Sequence, residues 1–254
     1  MTSPPELTRY ERFGWHYDAV AADRYRPGEA RFYAELARTA HGLVLEPACG
    51  SGRILSLAWR AGQAVVGTDA SQTMLDRAAA RFRQLAAQPN APEQPVRLLR
   101  QPLQELALAE GFGLILLPLE AFRLLRSQAE QESFLVAAAA HLVPHGRLAL
   151  DLTLPEAALP RRTSLGPLNG PDGRAVSATV RWRQEGDDTV EETTFHYPRG
   201  VNEVVTDHYR NVTADQLRDL LVGGGWRVEL SWSDHLGTPY EPGAGRLVVV
   251  AGRA

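Results

Sequence analysis

LVLEPACGSGRI at residues 43–54, followed by VVGTDAS at residues 65–71, is the stretch on which the fold turns. Each half is an apolar run that ends at a carboxylate, Glu46 in the first and Asp69 in the second. A tight turn of small residues follows Glu46, and the segment between the two runs has apolar positions at helical spacing. Strand, loop, helix and strand in this order form a unit suited to holding a nucleoside. Gly50 and Gly52 allow the backbone to come close to a ligand, and the helix after them offers unpaired amides. A carboxylate at Glu46 disfavours a pyrophosphate but suits an ammonium or sulfonium group. The third glycine of a dinucleotide loop would fall at position 55, which is Leu55, so a nicotinamide dehydrogenase is disfavoured. Asp69, 23 residues beyond Glu46, can accept hydrogen bonds from both hydroxyls of a ribose.

Outward from this unit, strands alternate with helices. Ser71 can cap a helix containing Met74, Leu75, Ala78, Phe82 and Leu85, and the prolines of residues 86–95 end it. Val96 to Arg100 and Gly113 to Leu117 read as a third and fourth strand, Gln128 to Leu142 as a helix, and Arg147 to Leu152 as a fifth strand after a turn at Pro144 to Gly146. This order implies right-handed crossovers and a mainly parallel sheet covered on both faces. Residues 155–173 are rich in proline, glycine and arginine without a clear period. Ala175 to Arg183, Thr189 to Tyr197 and Glu203 to Arg210 then predict a three-stranded antiparallel insertion, placed at about residues 170–211. A capped helix over Thr213 to Val222 precedes two last strands, Trp226 to Trp232 and Arg246 to Ala251, whose short connection makes them antiparallel. On the amino-terminal side, residues 14–41 carry Trp15, Tyr17, Tyr25, Phe32 and Tyr33, and GEARFYAELARTA has helical spacing. Residues 1–41 are taken as a helical segment that packs on, or forms a lid over, a main domain at 42–254.

At 254 residues, with 44% hydrophobic and 22% charged residues, the chain suits one elaborated globular domain. The net charge of -3 gives no general attraction to nucleic acid or an anionic membrane, which favours a small-molecule partner. Cys49 is the sole cysteine, so a disulfide within the chain and the cysteine sets of zinc sites are excluded; no metal is expected, and a reducing cytoplasm is. The amino terminus has no signal-peptide core, and no run reaches the length of a membrane span. Lysine is absent and all 27 basic residues are arginine, as in a GC-rich genome.

The paired motifs resemble those of class I S-adenosylmethionine-dependent methyltransferases. LVLEPACGSGRI is similar to their glycine-rich first motif and VVGTDASQTML to their ribose motif. HLVPHGRLALDL and RNVTADQLRDLLVGGGWRV resemble the approach to strand five and the late helix and strand. The layout is closest to the small-molecule branch, which includes the sugar N-methyltransferases. The resemblance implies a Rossmann-like three-layer α/β sandwich, with a seven-stranded, mostly parallel sheet ending in an antiparallel hairpin. It also implies S-adenosylmethionine as cofactor and transfer of methyl to an oxygen or nitrogen of a small molecule; a silent cofactor-binding sensor or partner subunit is the alternative.

Carried over by position, Glu46, Ala48, Cys49, Gly50 and Gly52 would surround the methionine part, and Asp69 would hold the ribose. Ala70 and Met74 would border the adenine, with Gln101, Pro102 and Leu103 after the third strand. Gln101 stands where the family often has an acidic residue, and its side-chain oxygen can accept the same hydrogen bond. Leu117 and Pro118 would line the cofactor mouth, with Tyr17 and Tyr25 approaching from the amino-terminal segment. LPLE at 117–120 replaces the Asn/Asp-Pro-Pro-aromatic segment of amide- and base-amine methyltransferases, which argues against nucleobases and protein glutamine as acceptors. Cys49 needs no catalytic role. For a base, His208 and Tyr209 lead a weak set that includes His196 and His235, and Glu120, with Tyr17 and Tyr25, is a candidate on the substrate side. The insertion would cover the acceptor or form the face of a homodimer.

Overall fold

The computed structural model describes residues 10, 11, 14, 18, 26–155, 157, 163–169, 175–198, 200 and 202–254. Trp15, Tyr17 and Tyr25 lie outside the described residues, so the lid and the two tyrosine contacts expected there have no structural account.

Seven strands form the main sheet, in the order β10-β11-β5-β4-β1-β2-β3. They are β1 (Val44–Pro47), β2 (Val65–Asp69), β3 (Val96–Arg100), β4 (Phe112–Leu117), β5 (Leu142–Thr153), β10 (Trp226–Trp232) and β11 (Arg246–Arg253). Strands β1 to β5 pair in parallel, while β11 runs antiparallel to both β5 and β10. Alternation along the central strands splits the core in two. Leu45, Ile115, Leu148 and Val249 face one side, where they meet Phe134 and Leu135 of α4 (Gln128–His141) and Leu217 and Leu221 of α5 (Ala214–Gly223). Val44, Leu114, Ala149 and Val248 face the other. There they pack on α1 (Glu29–Arg38), α2 (Leu55–Arg60) and α3 (Gln72–Ala86) through Tyr33, Trp59 and Phe82. This is the expected three-layer α/β sandwich with a terminal antiparallel hairpin.

Local signals explain the helix starts. The Ser71 side chain accepts from the Met74 amide, 3.2 Å away, and Thr213 forms a reciprocal capping box with Gln216 ahead of α5. The Glu11 carboxylate also reaches the amides of Gln72 (2.7 Å) and Thr73 (3.3 Å), so a residue of the amino-terminal segment is tied to the positive end of α3.

Three expectations are corrected. The insertion is a four-stranded sheet, β6 (Thr163–Asn169), β7 (Ala175–Glu185), β8 (Asp188–His196) and β9 (Asn202–Arg210), not a three-stranded one. The extra strand escapes the sequence pattern because Gly166 and Pro167 interrupt its alternation, and its register against β7 shifts between Leu165 and Leu168. Strand β5 starts at Leu142, so Pro144 to Gly146 lie inside the strand, with His145 at φ 63. The helix after the glycine loop, which the apolar spacing places over Ser51 to Ala61, spans only Leu55–Arg60, because Gly50, Ser51 and Gly52 are used up in turns. Among the described residues, no helix is long and apolar enough to cross a membrane.

Candidate active site

The carboxyl ends of β1, β2 and β4 open into a cleft at the point where the strand order reverses direction. Glu46 is the third of the four buried residues of β1, and the loop after the strand alternates left-handed residues at Ala48 (φ 55), Gly50 (φ 55) and Gly52 (φ 74). Gly52 has little choice: a Cβ there would meet the Ala78 Cβ at 3.2 Å and Phe82 at 3.3 Å, so the loop is drawn down onto α3. The result is a backbone cradle facing Asp69.

Asp69 ties that cradle to the second strand. Its carboxylate accepts from the Gly50 amide at 2.8 Å and from the Ser71 amide at 2.9 Å, one oxygen each. A carboxylate oxygen has two lone pairs, so each oxygen keeps one for a ligand hydroxyl. Burial pushes this carboxyl's pKa up, while the two amides pull it back.

Glu46 is different. It is 3% exposed, lines the cleft, and its Oε2 has no hydrogen-bond partner among the described residues. Burial pushes its pKa up to about 8, only partly countered by Arg53, whose guanidinium is held by both oxygens of Glu29 at 2.7 and 3.0 Å. Cys49 is also buried, and burial pushes its thiol well above the ordinary value, which suits a packing residue and not a nucleophile.

Of the other positions expected from sequence, Ala48, Cys49, Gly50 and Met74 line this cleft with Glu46 and Asp69. Tyr10, Ser51, Arg53, Ile54, Leu119 and Tyr209 join them, and of the strand-four pair it is Pro118 that lines the mouth. Leu117 points into the core with Leu103. Gln101 donates its Nε2 to the Ala107 carbonyl (3.2 Å), and its buried Oε1 has no partner among the described residues. The Gln101 amide in turn donates to the Asp69 carbonyl (3.0 Å), and the Ala70 carbonyl accepts from Arg100. Pro102 starts the short 3-10 turn at Leu103–Glu105.

A second cleft lies between the main sheet and the inserted sheet. Its lining includes Arg26, Glu120, Arg123, Thr153, Trp182, Glu191 and Arg246, and it shares Leu119 and Tyr209 with the first. The strand period decides which insertion residues reach it. Trp182, Glu191 and Asp207 are register partners on one face, with Thr189 and Tyr209 beside them. His208 falls on the opposite face, exposed and 4.0 Å from Asp188. His196 sits at the far end of β8, bonded to Thr179 and Asn202. Tyr209 is thus the member of the expected base set that borders both clefts. Its hydroxyl donates to Asp207 (3.3 Å), and the Arg123 guanidinium lies 5.6 Å from its ring centroid.

The floor of the second cleft is a buried charge network that sequence did not suggest. Glu120 accepts from the Thr153 amide (3.0 Å), from Arg123 (2.8 Å) and from Arg246 (3.3 Å). Asp151, fully buried, accepts from Tyr33 (2.6 Å), the Leu119 amide (3.2 Å), His235 (3.3 Å) and Arg246. Burial alone would raise the Asp151 carboxyl; the bonds from His235, Arg246 and Tyr33 outweigh it and hold the pKa at about 2. Glu120 is likewise held below the ordinary value, burial being outweighed by Arg123 and Arg246. Leu119 and Glu120 are consecutive left-handed residues, φ 52 and 71, and this network holds them there.

Residues 44–146, from β1 into β5, match the family described as methyltransferase domain. Among solved structures, this fold is that of the S-adenosylmethionine-dependent methyltransferases. The CcbJ methyltransferase from Streptomyces caelestis aligns at TM-score 0.81 and 18% identity, covering 99% of this chain and 100% of that one. An S-adenosylmethionine-dependent methyltransferase from Clostridium acetobutylicum aligns at 0.77 and 18%, over 96% and 99%. The sugar N-methyltransferase KedS8 from a Streptoalloteichus species aligns at 0.73 and 20%, over 98% and 95%. Because these alignments span nearly whole chains, the likeness of fold extends over the inserted sheet. No curated protein matches the sequence.

Proposed function

We propose that this methyltransferase moves the methyl group of S-adenosylmethionine to an amine nitrogen of a small, polar, sugar-like acceptor held in the second cleft. The observation that carries the reading is the meeting of the two clefts at Leu119 and Tyr209. One cleft has the carboxylates for a ribose and an ammonium, and the other has the charged and aromatic lining of a polar acceptor site. The solved sugar N-methyltransferase and an amino pentose methyltransferase from Micromonospora echinaspora, aligned over the full length of both chains at 20% identity and TM-score 0.64, support nitrogen as the target.

The residues fit the cofactor. Asp69 has a lone pair on each oxygen for the ribose hydroxyls, Glu46 lines the cleft with a buried Oε2 that has no partner among the described residues, and Gln101 Oε1 is a buried acceptor fixed in orientation by its own amide nitrogen. When bound, S-adenosylmethionine supplies a methyl group already activated by its sulfonium. What remains for the protein is alignment, exclusion of water and management of the acceptor proton. Leu119, fixed between the clefts, aligns donor and acceptor sides. Trp182 and Tyr209 offer ring faces to a sugar, and Glu191 and Glu120 offer carboxylates beside them. The Tyr209 hydroxyl, its own proton directed to Asp207, can accept a hydrogen bond from the acceptor nitrogen and orient its lone pair.

Turnover tests this directly. Incubation with S-adenosylmethionine and a panel of nucleotide-linked amino sugars, their hydroxyl-only counterparts and simple phenols is expected to yield S-adenosylhomocysteine with the amines. Product from the hydroxyl-only compounds alone would move the chemistry to oxygen. Binding of S-adenosylhomocysteine without turnover of any panel member would favour a silent cofactor-binding module. On the cofactor side, Asp69→Ala is expected to weaken S-adenosylhomocysteine binding by about 1–3 kcal/mol through loss of the ribose contacts, read by calorimetric titration. Unchanged affinity would place the ribose elsewhere.

A further inference from the structure

We propose that Glu46 is a neutral carboxylic acid in the ligand-free protein and that seating the cofactor's α-ammonium group against it expels its proton, making cofactor capture proton-linked. This rests on the cofactor reading above and concerns a step that reading does not require. The geometry is the starting point. Glu46 sits near the end of a buried strand and lines the cleft, 3% exposed, with Oε2 buried and no donor supplied to that oxygen by the described residues. A buried carboxylate left with an unmet oxygen is a costly charge, and such a group ordinarily keeps its proton instead.

The charges around it do not relieve that cost. From the loop before α2, Arg53 attracts it, but this guanidinium is chelated by Glu29 of α1, so the cation reaches Glu46 already paired. From the end of β2, Asp69 adds like charge, and from the loop after β1 the Cys49 thiol is neutral. Tyr10 and Tyr209 are the remaining titratable side chains on the cleft wall among the described residues. Burial is the largest effect and puts the titration of Glu46 at about 8, so at neutral pH the acid form prevails.

An ammonium changes the balance. The free acid and the free ammonium each carry a proton; in the complex the carboxylate and the ammonium form a charge-assisted pair, and one proton leaves to solvent. Below the titration of Glu46, affinity should therefore rise about tenfold for each unit of pH and level off as about pH 8 is approached. Nothing of the kind is expected of a ligand that fills the nucleoside part of the cleft but has no ammonium.

Titration calorimetry of the full chain at about pH 6.5, in buffers of different ionisation enthalpy, counts the protons exchanged. With S-adenosylhomocysteine as the probe, about one proton is expected to be released on binding. With 5′-methylthioadenosine, which lacks the amino-acid portion, no release is expected. Glu46→Gln should remove the release seen with S-adenosylhomocysteine, and the methylthioadenosine comparison on the unaltered protein keeps the test decisive if that variant binds too weakly. Release of no proton with S-adenosylhomocysteine, or equal release with both ligands, would overturn the proposal while leaving the cofactor reading intact. Absence of binding by either probe would instead remove the cofactor reading.

Discussion

Arg246→Leu is expected to cost about 3–5 kcal/mol of folding stability, the usual loss when one member of a buried ion pair is removed. Arg246 is joined to both Asp151 and Glu120, with 11% of its side chain exposed, so its loss strands two carboxylates at once. Arg123 remains on Glu120, and Tyr33 and His235 remain on Asp151, which keeps the loss within that range. The pH dependence gives the sign. Asp151 titrates at about 2 in the folded protein against an ordinary 3.8, so its pairing stabilises the fold above about pH 4 and that contribution is lost as pH falls toward 2. The difference in stability between the unaltered protein and Arg246→Leu, measured by urea unfolding, should accordingly shrink as pH is lowered through this range. A pH-independent difference would mean that Arg246 acts by packing and not by charge. Arg246→Lys should fall between the two, because a single ammonium cannot bridge both carboxylates as a guanidinium fork does.

Glu46→Gln is expected to have the opposite sign, making the ligand-free protein more stable by about 2–3 kcal/mol near neutral pH. The Glu46 carboxyl titrates at about 8 in the folded chain against an ordinary 4.5, so folding is penalised progressively as pH rises from the lower value to the higher. Glutamine has no proton to hold and escapes that penalty. Thermal or urea unfolding as a function of pH should show the two proteins converging below about pH 4.5 and diverging up to about pH 8. A glutamine variant no more stable than the parent at pH 8 would contradict the burial argument. The same substitution should weaken cofactor binding, a trade of stability for function often met where a site needs an uncomfortable charge.

The cofactor half of the site was readable because it is local. Glu46, Gly50, Gly52 and Asp69 sit within one strand-loop-helix-strand unit, where spacing along the chain translates directly into proximity. The acceptor half is assembled from distant segments, and periodicity has no access to it. Asp151 was visible only as an acid inside an apolar strand, and nothing in the chain joins it to Tyr33, His235 or Arg246, up to 118 residues away. The choice between His208 and Tyr209 illustrates the same limit. They are adjacent in sequence, and only the pairing of β9 with β8 decides that Tyr209 shares a face with Glu191 and Thr189 while His208 turns outward. Strand β6 went unread for a local reason instead, its glycine and proline erasing the alternation that identifies a strand. The left-handed pair at Leu119 and Glu120 has no sequence signal at all, since neither residue type favours that conformation; the Asp151 and Glu120 contacts impose it.

The central claim, that the cleft at the ends of β1, β2 and β4 holds S-adenosylmethionine, is tested most directly by titrating S-adenosylhomocysteine into the protein and into Asp69→Ala side by side. Saturable one-to-one binding that is weakened in the variant is the predicted result. No binding of S-adenosylhomocysteine or S-adenosylmethionine, or binding of NAD in their place, would contradict it.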